Sequence, residues 1–244
     1  MIRTGLALQL SRPCDTCMGC AARELSLLDE LSQDELAIIN RGRTRVSYRA
    51  GEPIFKEGTR PYGLLCMSSG KAKISINSVN GNELIVGLKK PVDFLGFSDF
   101  IAEKSYSTSA HALEDTEVCV IMKEHFFNVA EDNNTLLKKI NLKLVEELTQ
   151  TRLRMAGITQ KHMRGRMADA LLYLHDTYGC TVEDDSVGAE LKRSDIAALS
   201  NMTTANAIRT ISEFSKDGLI TVDKRKIFLN QSQLNELYSI SLQV

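Results

Sequence analysis

Residues 190–230, ELKRSDIAALSNMTTANAIRTISEFSKDGLITVDKRKIFLN, decide the fold of the C-terminal part of the chain. Their apolar spacing predicts two short helices joined by a tight turn and followed by a β-hairpin. Asn201 marks the turn, because asparagine tolerates the left-handed backbone conformation better than most non-glycine residues. Thr203 or Thr204 is expected to cap the second helix. The stretch therefore predicts a winged helix-turn-helix, a motif of DNA-binding proteins.

The second helix of such a motif meets the DNA bases with its N-terminal part, so its other side must face the core. Apolar residues that suit the core side are Ala207, Ile208, Ile211 and Phe214. The candidate DNA contacts are polar residues at the start of this helix and at the hairpin tip: Thr203, Thr204, Asn206, Arg209, Lys224 and Arg225. Between Lys192 and Asn230, seven Lys and Arg stand against four Asp and Glu, a net charge of +3, while the whole chain carries −1. Affinity for DNA must therefore come from a local patch.

Length and composition indicate a globular protein with two domains. The chain has 244 residues, of which 43% are hydrophobic and 25% charged, and this length suits two domains of ordinary size. No stretch approaches the roughly 20 apolar residues of a membrane span, and the N-terminal apolar run is too short for a signal peptide. We therefore expect a cytoplasmic protein without membrane contact. Six cysteines are too few for a disulfide-stapled scaffold, and their clustering indicates metal or redox chemistry.

The remaining sequence predicts a β-barrel followed by a long helix. Residues 45–127 alternate short β-branched runs with glycines, which is typical of an antiparallel jelly-roll barrel. From about Asn133 the apolar period changes to roughly 3.5, the period of a two-stranded coiled coil. The predicted dimer contacts along this seam are Leu137, Leu144, Leu148, Thr151, Met155 and Ile158. Leu136, Ile140 and Val145 would then cover the barrel, although the whole helix could instead pack on its own barrel.

These predictions define an α+β protein: a cysteine-containing segment (1–30), an antiparallel β-barrel sensor domain (31–130), a dimerisation helix (131–160) and a winged helix-turn-helix domain (161–244). In this order they resemble the CRP/FNR family of bacterial transcription regulators. The stretches that carry the resemblance are AGEPIFKEGTRPYGLLCMSSGKAKI, PVDFLGFSDF and HALEDTEVCVI. The resemblance implies a homodimer that binds near-palindromic double-stranded DNA and acts on RNA polymerase.

What the barrel of this family senses differs between branches. Cyclic-nucleotide members carry a Gly-Glu pair and an Arg-Ser pair that hold the ribose and the phosphate. Here the corresponding residues are Gly96-Phe97 and Tyr106-Ser107, and no arginine lies between Arg60 and Arg152. Because an anionic phosphate needs a cationic partner, we expect no cyclic nucleotide to bind.

The other branch senses oxygen through a [4Fe-4S] cluster held by N-terminal cysteines and one cysteine of a barrel strand. Cys14, Cys17 and Cys20 form the spacing C-x2-C-x2-C, which also occurs in bacterial ferredoxins. Cys119 stands where FNR-type members place the fourth ligand. The resemblance therefore implies a cluster on Cys14, Cys17, Cys20 and Cys119. The same thiols suit zinc or a redox disulfide, and haem sensing of NO or CO is a further alternative.

Cys66 and Cys180 have no partners nearby in sequence and are expected to be structural. FNR-type recognition helices use a Glu, a Ser and an Arg, where this chain has Ala205, Ile208 and Arg209, so a different operator is expected. The four histidines are scattered, and no nucleophile elbow or phosphate loop is present. An enzyme is therefore not expected, and a ligand-binding barrel dimer is the non-transcriptional alternative.

Overall fold

The computed structural model describes residues 16–78, 81–181 and 186–242. The chain divides into two compact units, one comprising Met1–Ile74 with Lys89–Leu148 and the other Ser75–Leu88 with Thr149–Val244. The predicted α+β class is confirmed, because a β-sandwich is followed by a long helix and a helical C-terminal domain. Among the described residues, no helix is long and apolar enough to cross a membrane.

Two four-stranded sheets form the β-sandwich, with strand orders β1-β8-β3-β6 and β2-β7-β4-β5. In the first sheet every pair of neighbouring strands is antiparallel. The strands are β1 (Arg43–Tyr48), β2 (Pro53–Phe55), β3 (Gly63–Ser69), β4 (Ala72–Asn77), β5 (Glu83–Lys89), β6 (Phe94–Leu95), β7 (Ser109–Ala112) and β8 (Thr116–Met122). A third sheet pairs β9 (Thr221–Asp223) with β10 (Lys226–Phe228).

The helices are a short 3-10 helix at Ala21–Leu25, then α1 (Gln33–Arg41), α2 (Phe97–Ile101), α3 (Lys123–Asp132), α4 (Asn134–Gln160), α5 (Met163–Tyr178), α6 (Arg193–Leu199), α7 (Thr204–Lys216) and α8 (Gln231–Ser241). Helix α1 begins where Ser32 and Glu35 form a reciprocal capping box. Glu35 also accepts a hydrogen bond from the Asn133 side chain, at 2.7 Å from Nδ2 to Oε1. This bond ties the start of α1 to the residue that precedes α4.

Side chains of β3 and β8 alternate between two environments. Leu65 and Met67 are fully buried on one face of the first sheet. On the other face, Leu64 and Ile121 join a core with residues of the N-terminal segment, α1, α3 and α4, among them Cys17. Because side chains of a strand point alternately to the two faces, Cys66 and Cys119 lie on the same face as this second core. The sheet thus brings two cysteines toward the N-terminal segment.

Helix α4 buries only its first turns. Leu136 and Ile140 are 1% and 5% exposed, and Leu144, one turn further along the same face, packs partly buried against the same core. The expectation that Val145 covers the barrel is wrong, because this side chain is 60% exposed. At 100° per residue, Val145 points away from the stripe that Leu136, Ile140 and Leu144 continue at spacings of four.

Hairpin residues 75–88 belong to the C-terminal unit through contacts with α4 and α5. The backbone N–H of Leu88 donates to the Tyr173 hydroxyl at 3.0 Å, and Arg154 donates to the carbonyl of Ile85 at 3.0 Å. The Arg154 guanidinium also lies 4.3 Å from the centre of the Tyr173 ring, a favourable cation–π contact. Arg154 therefore lies on the inner side of α4, outside the predicted dimer seam.

Candidate functional site

The helix pair in the C-terminal unit has the turn that the sequence predicted. Asn201 adopts the left-handed conformation with φ of 51°, which re-aims the chain between α6 and α7. The Thr203 hydroxyl accepts a hydrogen bond from the backbone N–H of Asn206 at 3.3 Å, so Thr203, and not Thr204, caps α7. Both sequence predictions for the turn and the cap are therefore confirmed.

The exposed side of α7 carries the candidate base contacts. Arg209 is held by two neighbours on the helix, donating to Asn206 Oδ1 at 3.2 Å and lying 4.0 Å from the Glu213 carboxylate. Thr203 and Thr204 are exposed at the helix start. The expectation that Ile208 faces the core is wrong, because its side chain is 47% exposed, while Thr210 takes a buried position in its place. A large apolar side chain thus stands beside Arg209 on the outer face.

The hairpin that follows has two exposed cations at its tip. Lys224 and Arg225 form the loop between β9 and β10, and Lys224 has a positive φ of 52°. The Lys224 carbonyl accepts a hydrogen bond from the Arg193 guanidinium of α6 at 2.8 Å. Because this bond fixes the loop against the helix pair, the two cations keep a set position relative to α7, as phosphate contacts require.

The second site is formed by cysteines on the first sheet. Cys119, on β8, is 7% exposed and faces Arg45 of β1 on one side and Cys66 of β3 on the other in the strand register. The Cys119 thiol accepts a hydrogen bond from the Arg43 guanidinium, with 2.9 Å between Sγ and Nη2. Cys119 is thus a buried thiol with a cation beside it.

Cys17 of the N-terminal segment packs in the core on the face of the first sheet that carries Cys119, and Cys20 follows it in the same turn. The backbone N–H of Cys17 donates to Asn40 Oδ1 of α1 at 2.8 Å, and Cys20 N–H donates to the Cys17 carbonyl at 3.5 Å. Burial raises the pKa of Cys17 to about 11; the Arg43 cation lowers this pKa, whereas the neighbouring Cys119 and Cys20 raise it further. At neutral pH the Cys17 thiol is therefore protonated. Cys14, the first cysteine of the run, lies outside the described residues.

Cys66 has a neighbour that its sequence position did not reveal. It lies directly opposite Cys119 in the register of β3 and β8. Burial of its thiol raises the pKa well above the usual value, and Cys119, Cys20 and Cys17 raise it further. Only the pairing of two strands 53 residues apart brings Cys66 to this site, and no local motif could have shown it. Cys180 is exposed.

Two aromatic side chains, Phe55 and Tyr106, lie beside Gly96, where the sequence resemblance places the cyclic-nucleotide pocket. Tyr106 stacks on Phe55 with 3.8 Å between ring centres. A Cβ atom at Gly96, which has a φ of 60°, would lie 2.3 Å from the Tyr106 ring, so only glycine fits there. Ser107 donates from its backbone N–H to the Asp99 carboxylate at 2.9 Å. An anion placed at Ser107 would meet this carboxylate instead of a cation.

The predicted dimer residues of α4 have two kinds of environment. Leu137, Leu148 and Met155 are 39%, 49% and 62% exposed, and Thr151 is exposed as well. Leu144 packs against the core of its own chain, and Ile158 is half-buried. Three further apolar side chains of α4 are exposed although they lie outside the predicted seam: Leu142, Val145 and Leu153.

Two family models match the chain, the cyclic nucleotide-binding domain over residues 45–133 and the Crp-like helix-turn-helix domain over residues 165–237. Together with the exposed face of α7, these matches define the protein as a DNA-binding transcription regulator and not an enzyme. The fold is that of FixK2 from Bradyrhizobium japonicum, with a TM-score of 0.73 and 20% identity over 83% of this chain and 98% of that one.

Similar proteins extend over nearly the whole chain. The transcriptional regulatory protein btr of Bordetella pertussis is 27% identical over 88% of each chain. The transcriptional activator protein anr of Pseudomonas aeruginosa is 25% identical over 91% of this chain and 88% of its own. The chain belongs to the CRP/FNR family of transcription regulators.

Proposed function

We propose that this regulator senses oxygen or redox state through a [4Fe-4S] cluster bound by cysteine thiolates at the junction of the N-terminal segment and the β-sandwich. The observation that carries the proposal is that Cys17, followed by Cys20 in one turn, packs in the core on the face of the first sheet that carries Cys119. From the sequence, the ligand candidates are these three and Cys14. When bound, such a cluster would break down in air, and this loss would signal the presence of oxygen.

The described residues fit such a group in chemistry and charge. Thiolates are the usual ligands of iron–sulfur clusters, and the Arg43 guanidinium beside Cys119 offsets part of the negative charge of a thiolate-bound cluster. Within residues 16–78, 81–181 and 186–242, no three His, Cys, Asp or Glu side chains surround a point where a single metal ion would fit.

For DNA, we propose a homodimer that places one α7 helix in each of two major grooves, about 34 Å apart along a near-palindromic operator. Support comes from the exposed apolar side chains of α4, Leu137, Leu148 and Met155, beside Thr151. Arg209 would bind a guanine and Asn206 an adenine or a phosphate, while Thr203, Thr204, Lys224 and Arg225 would bind phosphates. RNA polymerase is the expected further partner, and the cytoplasm the expected location.

The proposal is tested by measuring DNA affinity in the two sensor states. A DNA duplex is first selected from a random library with protein kept free of oxygen. This duplex is then titrated with the oxygen-free protein and with protein that has been exposed to air. We expect the Kd to change by about 5- to 150-fold, the usual range of coupling between two sites. Cys119→Ser should bind with one Kd regardless of air, and the exposed Cys180→Ser should behave as the wild type. If the Kd of the wild-type protein for the duplex were the same with and without air, the proposal of oxygen sensing would be contradicted.

A further inference from the structure

The strand pair β3–β8 places two cysteines side by side. Cys66 and Cys119 are Cα partners in the antiparallel register, and directly opposed residues have Cβ atoms about 4.5–5.5 Å apart on the same face of the sheet. The residues before and after Cys66, Leu65 and Met67, are buried on the opposite face. The direction of both thiols is therefore fixed by the sheet and not by a loop.

That face is the one against which the N-terminal segment packs. Cys17 is part of the core on this face, and Cys66 is packed against the same core. Through Cys17 N–H, the segment is anchored to Asn40 of α1. Cys20 lies in the same turn as Cys17, because its N–H donates to the Cys17 carbonyl at 3.5 Å. Four described cysteines, two from C-x2-C and two from the strand pair, thus share one site.

We propose that Cys66 is a ligand of the cluster, so that Cys17, Cys20, Cys66 and Cys119 complete the set of four thiolates and Cys14 is not required. The inference rests on the proposed function, since it names the ligands of that same site. A cluster needs four protein ligands, and this set supplies them from a strand pair and one short turn. The Cys66 thiol makes two weak contacts, 3.8 and 4.0 Å from the Met67 and Val92 carbonyl oxygens, which a bond to iron could replace.

The test compares Cys66→Ser with Cys14→Ser, each purified without oxygen beside the wild type and Cys180→Ser. We expect Cys66→Ser to hold less than about one tenth of the wild-type iron and acid-labile sulfide. Even the replacement of a residue that only supports a ligand lowers metal affinity 10- to 100-fold. Cys14→Ser should hold the wild-type amounts and show the wild-type visible spectrum. Thermal unfolding of the cluster-free proteins shows whether each variant folds, and Cys66→Ala repeats the comparison with a side chain that cannot bind iron.

The outcomes separate the two proposals. Full iron and sulfide in Cys66→Ser and Cys66→Ala, with loss in Cys14→Ser, would overturn the inference and leave the iron–sulfur sensor in place. Loss in both Cys66 and Cys14 variants would overturn the claim that Cys14 is dispensable. A wild-type protein without sulfide would reject the sensor itself. A Cys66→Ser protein that unfolds like the wild type and lacks the cluster would support the inference.

Discussion

The Arg43 guanidinium donates a hydrogen bond to the Cys119 thiol at 2.9 Å and also lowers the pKa of Cys17. Arg43 is the first residue of β1, and the pairing of β1 with β8 sets its position. One cation therefore lies beside cysteines that come from two distant segments of the chain. This relationship predicts how the site should respond when the charge is removed.

Arg43→Met should weaken retention of the cluster by about tenfold, because the charge that offsets the thiolates is lost, and partners of metal ligands have effects of this size. The measurement is the rate at which a chelator removes iron under argon. Arg49→Met is the matched control, since Arg49 is an exposed arginine just beyond the other end of β1. Equal rates in the two variants would show that Arg43 has no particular role at the thiols.

Arg209→Ala should cost about 1–3 kcal/mol at the selected operator and relax base preference at one position, whereas Lys224→Ala should weaken all sequences alike and flatten the salt slope by roughly one. The difference arises because contacts to bases determine the preferred DNA sequence, whereas contacts to phosphates only position the protein on the DNA. Titration of cognate and random duplexes at two salt concentrations separates the effects. If both variants lost cognate and random binding equally, α7 would not be the recognition helix.

Ile208→Ala should leave the free energy of unfolding within about 0.5 kcal/mol of the wild type, as is usual for surface positions. The exposed Ile208 should nevertheless contact a thymine methyl group, and its loss should cost about 1 kcal/mol at the cognate site. Ile211→Ala, on the buried side of the same helix, should instead destabilise the fold by about 2–5 kcal/mol. Unchanged operator affinity in Ile208→Ala would remove this residue from the DNA contacts.

Thr151 predicts a dimer in both sensor states. FNR-type proteins are expected to have a negative residue at this position of the seam, whose repulsion would separate cluster-free subunits. Thr151 is neutral, and the exposed Leu148 and Met155 lie on either side of it. Sedimentation of the cluster-free protein at low micromolar concentration should therefore show a dimer, and Thr151→Asp should shift it toward monomer. A cluster-free wild-type monomer would contradict this interpretation and would indicate a switch in oligomeric state.

Local signals in the sequence were sufficient to predict the turn and the helix cap of the helix-turn-helix. They were not sufficient to predict which side chains are buried, because burial depends on tertiary packing. Asn201 and Thr203 act within a few residues, so the turn and the cap of α7 were predicted correctly. Ile208 was misplaced because the helical period does not say where an apolar stripe ends, and the buried Thr210 looks polar in sequence. The neighbour of Cys66 could not be predicted, because its pairing with Cys119 is set by strand register, which depends on the whole sheet.

The central claim is tested most directly by iron and acid-labile sulfide analysis of the wild-type protein purified and kept without oxygen. We expect about four iron and four sulfide per chain, in a coloured protein that loses its colour and its sulfide in air. Zinc in place of iron, or iron without acid-labile sulfide, would contradict it.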